Sequence, residues 1–216
     1  MKLVCISDTH GKHRQLDLPP GDVLIHAGDW TGGQDIAFVE TEDFLSWFED
    51  QPHEHKILIA GNHEVTVERQ YKFFTELLES YPSITYLHNS ETVINGIKFY
   101  GSPYSNEFYN WAFMEHEFKL QDIWDMIPDD TNVLITHGPA YGCNDRVNNH
   151  HGADPHVGSQ SLHYRKLELG NSLKAHISGH IHEAYGITTT GDILNICASI
   201  LNEHYKLVNK PIVVDI

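Results

Sequence analysis

The chain of 216 residues is long enough for one sizeable domain, and 40% hydrophobic against 20% charged residues predicts a globular protein with a buried core. Its formal net charge of −16 repels phosphate backbones, which argues against stable nucleic-acid binding. No apolar run approaches the roughly 18 residues that span a bilayer, and the amino terminus lacks the apolar stretch of a secretion signal. We therefore expect a cytoplasmic protein of one domain, residues 1–216, with no membrane partner.

Five segments combine an apolar run of strand length with a polar cluster at its end. In chain order they cover residues 2–10, 22–30, 56–64, 132–138 and 174–182. Near-continuous runs of Val, Ile and Leu are typical of strands that are buried on both faces and covered by helices. Open α/β sheets bind ligands beyond the carboxyl ends of their strands. The polar clusters are therefore the candidate functional site.

Helical patterns lie between several of these strands. Apolar residues recur at helical spacing in the segments 35–52 and 66–82, and each segment ends at a proline. The first half of the chain therefore predicts an α/β alternation. In the second half, hairpins are predicted about Asn95-Gly96 and about Gly191-Asp192.

The segment 138–161 is the longest stretch without clear periodicity, and loops of that length are usually functional or mobile. It contains His150, His151 and His156, which either help to bind a leaving group or are simply solvated. Cys143 lies in the same loop, where it is either a reactive thiol or an ordinary loop residue. The other two cysteines lie in apolar runs, so no disulfide framework is expected.

The polar clusters supply two carboxylates, one amide and five imidazoles, a set that suits Mn, Fe, Zn or Ni better than Ca or Mg. They are Asp8 with His10, Gly28-Asp29, Gly61-Asn62-His63, His137-Gly138 and Gly179-His180-Ile181-His182. Residues two apart in an extended segment point to the same side, so each of the pairs with that spacing is expected to aim at one metal centre. Each cluster alone has an ordinary structural explanation as a turn or a cap. Their conjunction at five strand ends favours a metal site.

These motifs, including Glu64 after His63, resemble in order and intervals the calcineurin-like metallophosphoesterase family. The segments "YGSPYSNEFYNWAF" (100–113) and "NKPIVVDI" (209–216) are also similar to a branch of small metallophosphoesterase-domain proteins related to class III cyclic nucleotide phosphodiesterases. The resemblance covers nearly the whole chain. It implies a mixed α/β (α+β) fold in which two β-sheets form a sandwich flanked by helices.

The resemblance also implies a role for each polar residue. One divalent transition-metal ion, with Mn favoured over Fe, Zn or Ni, is held by Asp8, His10 and His182. A second is held by Asn62, His137 and His180, and Asp29 bridges the two. The implied reaction is hydrolysis of small or cyclic nucleotide-type phosphodiesters by a metal-bridging hydroxide. His63 faces the phosphate as general acid, Asn62 also contacts the phosphate, and Glu64 supports the site without binding metal.

Substrate contacts and competing functions remain open in the sequence. Tyr104 and Phe108, with Tyr109 and Trp111, form either an aromatic wall for the substrate or part of the core. The expected partner is a small phosphorylated, nucleotide-like substrate, and the sequence does not give the oligomeric state. The alternatives are a phosphomonoesterase, a nuclease acting on nucleic-acid ends, or a non-catalytic metal-binding scaffold. The motif "GDWTGG" lacks the Asp-Arg of the family's protein phosphatases, which argues against that activity.

Overall fold

The computed structural model describes residues 1–33, 35–148 and 155–216. The α-helices in these ranges are α1 (Val39–Glu49), α2 (Val65–Arg69), α3 (Tyr71–Leu78), α4 (Glu117–Trp124) and α5 (Gln160–Leu169). The strands are β1 (Lys2–Ile6), β2 (Val23–Ala27), β3 (His55–Ile59), β4 (Ile84–Tyr86), β5 (Ser90–Ile94), β6 (Ile97–Ser102), β7 (Ser105–Asn106), β8 (Met114–Glu115), β9 (Val133–Thr136), β10 (Ala175–Ser178), β11 (Gly186–Thr190), β12 (Ile193–Cys197) and β13 (Ile212–Asp215).

Two mixed sheets form the centre of the molecule. The first has the strand order β13-β1-β2-β3-β4 and the second the order β11-β12-β10-β9-β6-β5, while β7 and β8 pair separately. Strands β1 to β4 run parallel to one another, as do β6, β9, β10 and β12. The five apolar runs of the sequence supply β1, β2, β3, β9 and β10, so their polar clusters follow parallel strands.

Alternate side chains of each central strand enter different apolar layers. In β1, Leu3 and Cys5 belong to the cluster between the two sheets, whereas Val4 and Ile6 pack with residues of α1 and α3. The outer face of the second sheet packs against α4 and α5. Two sheets flanked by helices are therefore confirmed as the architecture. The expectation that helices cover both faces of each strand needs correction, because the inner face of each sheet is covered by the other sheet.

Both predicted hairpins are present. Strands β5 and β6 are antiparallel with Ile94 opposite Ile97, and β11 and β12 are antiparallel with Thr190 opposite Ile193. The turn between β5 and β6 needs positive φ at two positions, 50° at Asn95 and 80° at Gly96. Asn-Gly is the dipeptide that adopts this turn at the lowest cost.

The single helical pattern of residues 66–82 forms two helices rather than one. Gln70 separates α2 from α3 with φ −122° and ψ 41°, although its residue type is a good helix former. The carboxylate of Glu68 accepts a hydrogen bond from the Phe113 backbone N–H at 2.7 Å and ties α2 to a distant loop. A tertiary contact of this kind is not visible in the local pattern.

His26, a fully buried histidine of β2, has a hydrogen-bond partner for each ring nitrogen. The Gly28 backbone N–H donates to His26 Nδ1 at 3.3 Å, and His26 Nε2 lies 3.1 Å from Thr9 Oγ1. Cys143 is buried in the cluster under α4 and α5 rather than exposed in its loop. No helix in the described ranges combines the length and the hydropathy that crossing a bilayer requires.

The layer between the sheets should dominate stability. Ile57→Ala removes a fully buried side chain from that layer, so we expect a loss of about 2–5 kcal/mol in the free energy of unfolding. Ile187→Ala makes the same change at a residue that is 48% exposed and should cost less than about 1 kcal/mol. Urea titration followed by circular dichroism measures both. Equal losses in the two variants would contradict this assignment of the core.

Candidate metal centre

The strand ends of the two sheets meet at one place. The Asp8 backbone N–H donates to the Gly28 carbonyl at 2.9 Å, which joins the loops after β1 and β2. His137 Nδ1 lies 2.9 Å from the Ala27 carbonyl, and the His180 backbone N–H donates to the Asp8 carboxylate at 3.1 Å. The last two of these bonds cross from one sheet to the other. The fold therefore brings the candidate residues of five separated segments together.

The first group contains Asp8, His10 and His182, whose ligand atoms all lie within 4.8 Å of one another. His182 Nε2 lies 3.4 Å from Asp8 Oδ1. His10 Nε2 is buried and has no hydrogen-bond partner among the described residues. A buried nitrogen acceptor without a partner is costly unless a cation or a donor satisfies it. A carboxylate with two imidazoles is a donor set that a divalent transition metal fits.

The second group contains Asp29, His137 and His180, again with ligand atoms within 4.8 Å of one another. His137 Nε2 lies 3.3 Å from Asp29 Oδ2. The Asn62 side-chain oxygen lies 2.8 Å from both His137 Nε2 and His180 Nδ1, so the amide belongs to the same group. Three nitrogen or oxygen atoms converge here beside the shared carboxylate, which suits a second divalent cation.

Asp29 lies between the two groups. Its Oδ2 atom is 3.3 Å from His137 Nε2 and 4.0 Å from His10 Nε2. One carboxylate therefore faces ligands of both groups, which is the position that a bridging ligand occupies. His63 Nε2 is also 4.0 Å from this oxygen and completes a third group with His10 and Asp29. Distance alone permits His63 to bind metal, and its assignment as an acid rests on the family pattern.

Three of the imidazoles are oriented by backbone carbonyls. His10 Nδ1 lies 2.9 Å from the Thr31 carbonyl, and His182 Nδ1 lies 3.0 Å from the Asn202 carbonyl. His137 makes the corresponding contact with Ala27. A carbonyl only accepts hydrogen bonds, so each Nδ1 carries the proton and each Nε2 is left to face the site. This arrangement fixes both the tautomer and the ring direction of the ligand.

Several candidate ligands have left-handed backbone conformations. The φ angles are 54° at Asp8, 39° at His10, 61° at Asp29 and 67° at His180. Non-glycine residues in this region are strained and cluster at functional sites. The turn at His180 also separates it from His182, which begins a short helical turn. The two imidazoles thus fall in different groups, as the resemblance implies, and the expectation that they aim at one centre because they are two residues apart is wrong.

Glycines give the ligands room at two of the strand ends. A Cβ atom on Gly61 would lie 2.6 Å from His137 Nδ1 and would also collide with Asp29 Oδ1. A Cβ atom on Gly179 would collide with Ser7 and Asp8. The glycines before Asn62 and His180 are therefore required by close approach of neighbouring ligands.

Glu64 supports the site from behind, as the sequence predicts. Its buried carboxylate accepts backbone N–H groups of Asp29 at 2.8 Å, Gly61 at 2.7 Å and Thr31 at 3.0 Å. One side chain therefore fixes the loops after β2 and β3 relative to each other. Burial and the neighbouring charge of Asp29 raise the pKa of Glu64 to about 8.

The charges at the centre are strongly coupled. Burial alone would raise the pKa of Asp29, but the nearby His137 and His63 hold it well below its usual value. Burial opposes protonation of His137 and His182, yet Asp29 and Asp8 respectively raise the pKa of each imidazole to about 9. Burial lowers the pKa of His180 to about 4. The cluster therefore favours positive charge beside its carboxylates.

A cavity of about 660 Å³ opens over this centre and is lined by Asp29, Asn62, His63, His180 and His182, among others. Phe108, Tyr109 and Trp111 line it, so three residues of the predicted aromatic wall reach the cavity. Tyr104 is not among its lining residues, and its ring packs against Phe113 and His88 instead. Tyr205, which sequence reasoning did not single out, lines the cavity and contacts the rings of His10 and His182 at 5.0 and 5.1 Å.

The long loop after β9 is only partly described. His150 and His151 lie outside the described residues. Asp145 is buried, and its carboxylate accepts the backbone N–H groups of Gly142 and Gly158, each at 3.0 Å. His156 Nδ1 lies 2.6 Å from the same carboxylate. Asp145 therefore joins the two described arms of the loop, which contribute Pro139, Val147 and Val157 to the cavity wall.

Comparison with known proteins agrees with this geometry. The family model described as calcineurin-like phosphoesterase matches residues 1–184. The human metallophosphoesterase domain-containing protein 1 is 34% identical, over all of this chain and 71% of that protein. A UPF0046 protein of Caenorhabditis elegans is 32% identical, over 99% of this chain and 74% of its own length. The chain therefore belongs to the calcineurin-like phosphoesterase family.

The comparison of structures supports the fold. A crystal structure of a Thermus thermophilus protein superposes with a TM-score of 0.61, covering 91% of this chain and 88% of that chain. The two sequences are 11% identical, so this likeness concerns the arrangement of sheets and helices alone.

The two groups should lose metal separately. We expect His182→Ala to weaken the site formed with Asp8 and His10 by at least about 10-fold, and His180→Ala to weaken mainly the other. Calorimetric titration of chelator-treated protein, with elemental analysis, measures both affinities. His204→Ala, at an exposed imidazole, is the control and should change neither. Equal weakening of both sites by each variant would contradict the division.

Metal binding should release protons near neutral pH. A metal ligand must be a neutral imidazole, whereas His137 and His182 have pKa values of about 9 in the metal-free protein. Affinity should therefore rise as the pH is raised toward about 9 and fall as it is lowered. Titration at pH 7 in buffers of different ionisation enthalpy measures the protons released. Metal binding without proton release would contradict the prediction, because it would show that His137 and His182 do not lose a proton when the metal binds.

Proposed function

We propose that this calcineurin-like phosphoesterase is a dinuclear metal-dependent phosphodiesterase that hydrolyses small, nucleotide-type phosphodiesters. The observation that carries the proposal is the position of Asp29 between two groups of buried ligands, at the base of a cavity of about 660 Å³. A cavity of this size fits a small ligand rather than a folded partner. The expected substrate is therefore a small phosphorylated molecule.

Two divalent cations held by these residues would neutralise phosphate oxygens and lower the pKa of water for an in-line attack on phosphorus. We assign one cation to Asp8, His10 and His182 and the other to Asn62, His137 and His180, with Asp29 shared. Mn²⁺ is the preferred candidate, with Fe, Zn and Ni as alternatives for this mixed nitrogen and oxygen set.

The protein's own groups position the phosphate and move the proton. His63 Nε2 lies 4.0 Å from the shared carboxylate, and the His63 backbone N–H donates to Asp29 Oδ1 at 2.8 Å, so the backbone of His63 is fixed beside the centre. We propose that Nε2 delivers a proton to the departing ester oxygen. Asn62 lies at the base of the cavity, where its amide could hold a phosphate oxygen.

The surroundings of the proposed metal centre favour a small phosphodiester over a phosphomonoester or the end of a nucleic-acid chain as substrate. The cavity wall includes Phe108, Trp111, Met114, Val147 and Val157. An apolar wall stabilises organic groups on the phosphorus, and a diester presents two such groups where a phosphomonoester presents one. The net charge of −16 opposes a nucleic-acid polymer, which carries one negative charge per nucleotide. A non-catalytic metal-binding scaffold would need metal ligands but no proton donor, so the position of His63 beside Asp29 and in the cavity lining favours an enzyme.

The activity test uses chelator-treated protein restored with Mn²⁺. We expect turnover of bis(para-nitrophenyl) phosphate with a higher kcat/KM than that of para-nitrophenyl phosphate. Parallel assays with Fe²⁺, Zn²⁺ and Ni²⁺, and with cyclic nucleotides, define the metal and substrate preference. Absence of turnover on every ester with every metal would remove the enzyme proposal. A preference for the monoester would leave a phosphoric ester hydrolase but reject the diester assignment.

His63 should matter most for poor leaving groups. We expect His63→Ala to lower kcat/KM by about 10²–10⁴-fold for an unactivated phenyl or alkyl ester, because the departing oxygen then lacks a proton donor. The loss should be much smaller for a para-nitrophenyl ester, since para-nitrophenolate leaves without protonation. His163→Ala, on α5 and not among the residues that line the cavity, is the matched control. Equal losses for both leaving groups, or loss of metal from His63→Ala, would reject the role of proton donor.

A further inference from the structure

Four rings follow one another in contact at the candidate site, and this row of contacts runs from Trp111 through His63 and His10 to Tyr205. The ring of Trp111 lies 4.4 Å from that of His63, His63 lies 4.5 Å from His10, and His10 lies 5.0 Å from Tyr205. Trp111 and Tyr205 thus stand at the two ends of the row, and both line the cavity. The proposed proton donor is next to Trp111, whereas Tyr205 is next to two ligands of one proposed metal site.

Tyr205 is held in place by the turn that orients His182. Its backbone has φ 55°, a left-handed conformation that is unfavourable for an aromatic residue. The Tyr205 backbone N–H donates to the Asn202 carbonyl at 2.8 Å, and His182 Nδ1 contacts that same carbonyl at 3.0 Å. The Asn202 side-chain oxygen accepts the Lys206 backbone N–H at 3.0 Å and closes the turn. Strain maintained in this way at a cavity wall indicates a functional position.

Trp111 is positioned by the loop after β3, which is not part of the turn that holds Tyr205. The backbone N–H of the next residue, Ala112, donates to the Asn62 carbonyl at 3.2 Å. The segment that carries Trp111 is therefore bonded to the loop that supplies Asn62 and His63. Trp111 remains 38% exposed and lines the cavity, so its ring can still contact a molecule there.

The chemistry of a diester assigns different partners to the two rings. In an in-line displacement the leaving group departs next to the proton donor, so it must lie on the His63 side, against Trp111. The ester group that stays on phosphorus cannot occupy the same place and needs another wall. Tyr205 provides an aromatic wall at the other end of the row.

We infer that Trp111 contacts the leaving group and that Tyr205 contacts the ester group retained on phosphorus. Both would be specificity-determining residues, and the inference rests on the proposed phosphodiesterase function. Tyr205 would then favour diesters whose retained group is aromatic, such as a base or an aryl ring, because aromatic rings stack on one another.

The test compares two substrates that share a leaving group. Bis(para-nitrophenyl) phosphate and methyl para-nitrophenyl phosphate both release para-nitrophenol, but they retain an aryl and a methyl group respectively. We define the ratio as kcat/KM for the bis(para-nitrophenyl) ester divided by kcat/KM for the methyl ester. Measured on one preparation, this ratio does not depend on the fraction of active or metal-loaded enzyme. We expect Tyr205→Ala to lower this ratio at least about fivefold. Trp111→Ala should lower both kcat/KM values and leave the ratio within about twofold.

Two further variants serve as controls. Tyr205→Phe keeps the ring and should keep the ratio, while Tyr164→Ala removes an exposed tyrosine outside the cavity and should change nothing. An unchanged ratio in Tyr205→Ala would overturn the inference, and so would a ratio lowered by Trp111→Ala instead. In both cases turnover by the wild-type protein would still support the proposed phosphodiesterase function. Absence of turnover by the wild-type protein would instead mark failure of the proposed function itself.

Discussion

The structure depends above all on how the chain stabilises the buried carboxylate of Asp29. A charge removed from water is costly unless other charges and hydrogen-bond donors compensate it. Here the compensation comes from the His63 backbone N–H and from imidazoles on both sides of the carboxylate. These partners arrive from strands of both sheets. The two-sheet sandwich therefore positions imidazoles and a backbone N–H donor around the Asp29 carboxylate.

Much of the fold was predictable because strand runs and turn dipeptides are local signals. The five apolar runs became central strands, and Asn95-Gly96 formed the expected turn. Two features were not predictable from local pattern. The inner face of each sheet is covered by the other sheet rather than by a helix, and a near-continuous apolar run is compatible with either covering. The break at Gln70 lies two residues after Glu68, whose carboxylate is hydrogen-bonded to a distant loop that the local pattern does not reveal.

The site shows the same division between local and tertiary information. The clusters at the strand ends indicated which side chains converge, but their spacing was misleading for His180 and His182, because a left-handed residue redirects the chain between them. The carbonyls that orient the imidazoles leave no signal, since any residue carries a carbonyl. Tyr205 was missed for a related reason, because it belongs to a turn with no motif and reaches the cavity only through the fold.

The contacts of Glu64 have a consequence for protein design. One carboxylate accepts backbone N–H groups from two loops that are more than thirty residues apart, so the geometry of the proposed metal ligands is encoded partly in a residue that lies outside both groups. A designer who grafted only the ligating side chains onto another scaffold would omit this clamp. The transplanted loops would then lack the hydrogen bonds that fix their relative position. The smallest set of residues to transfer is therefore the proposed ligands together with Glu64.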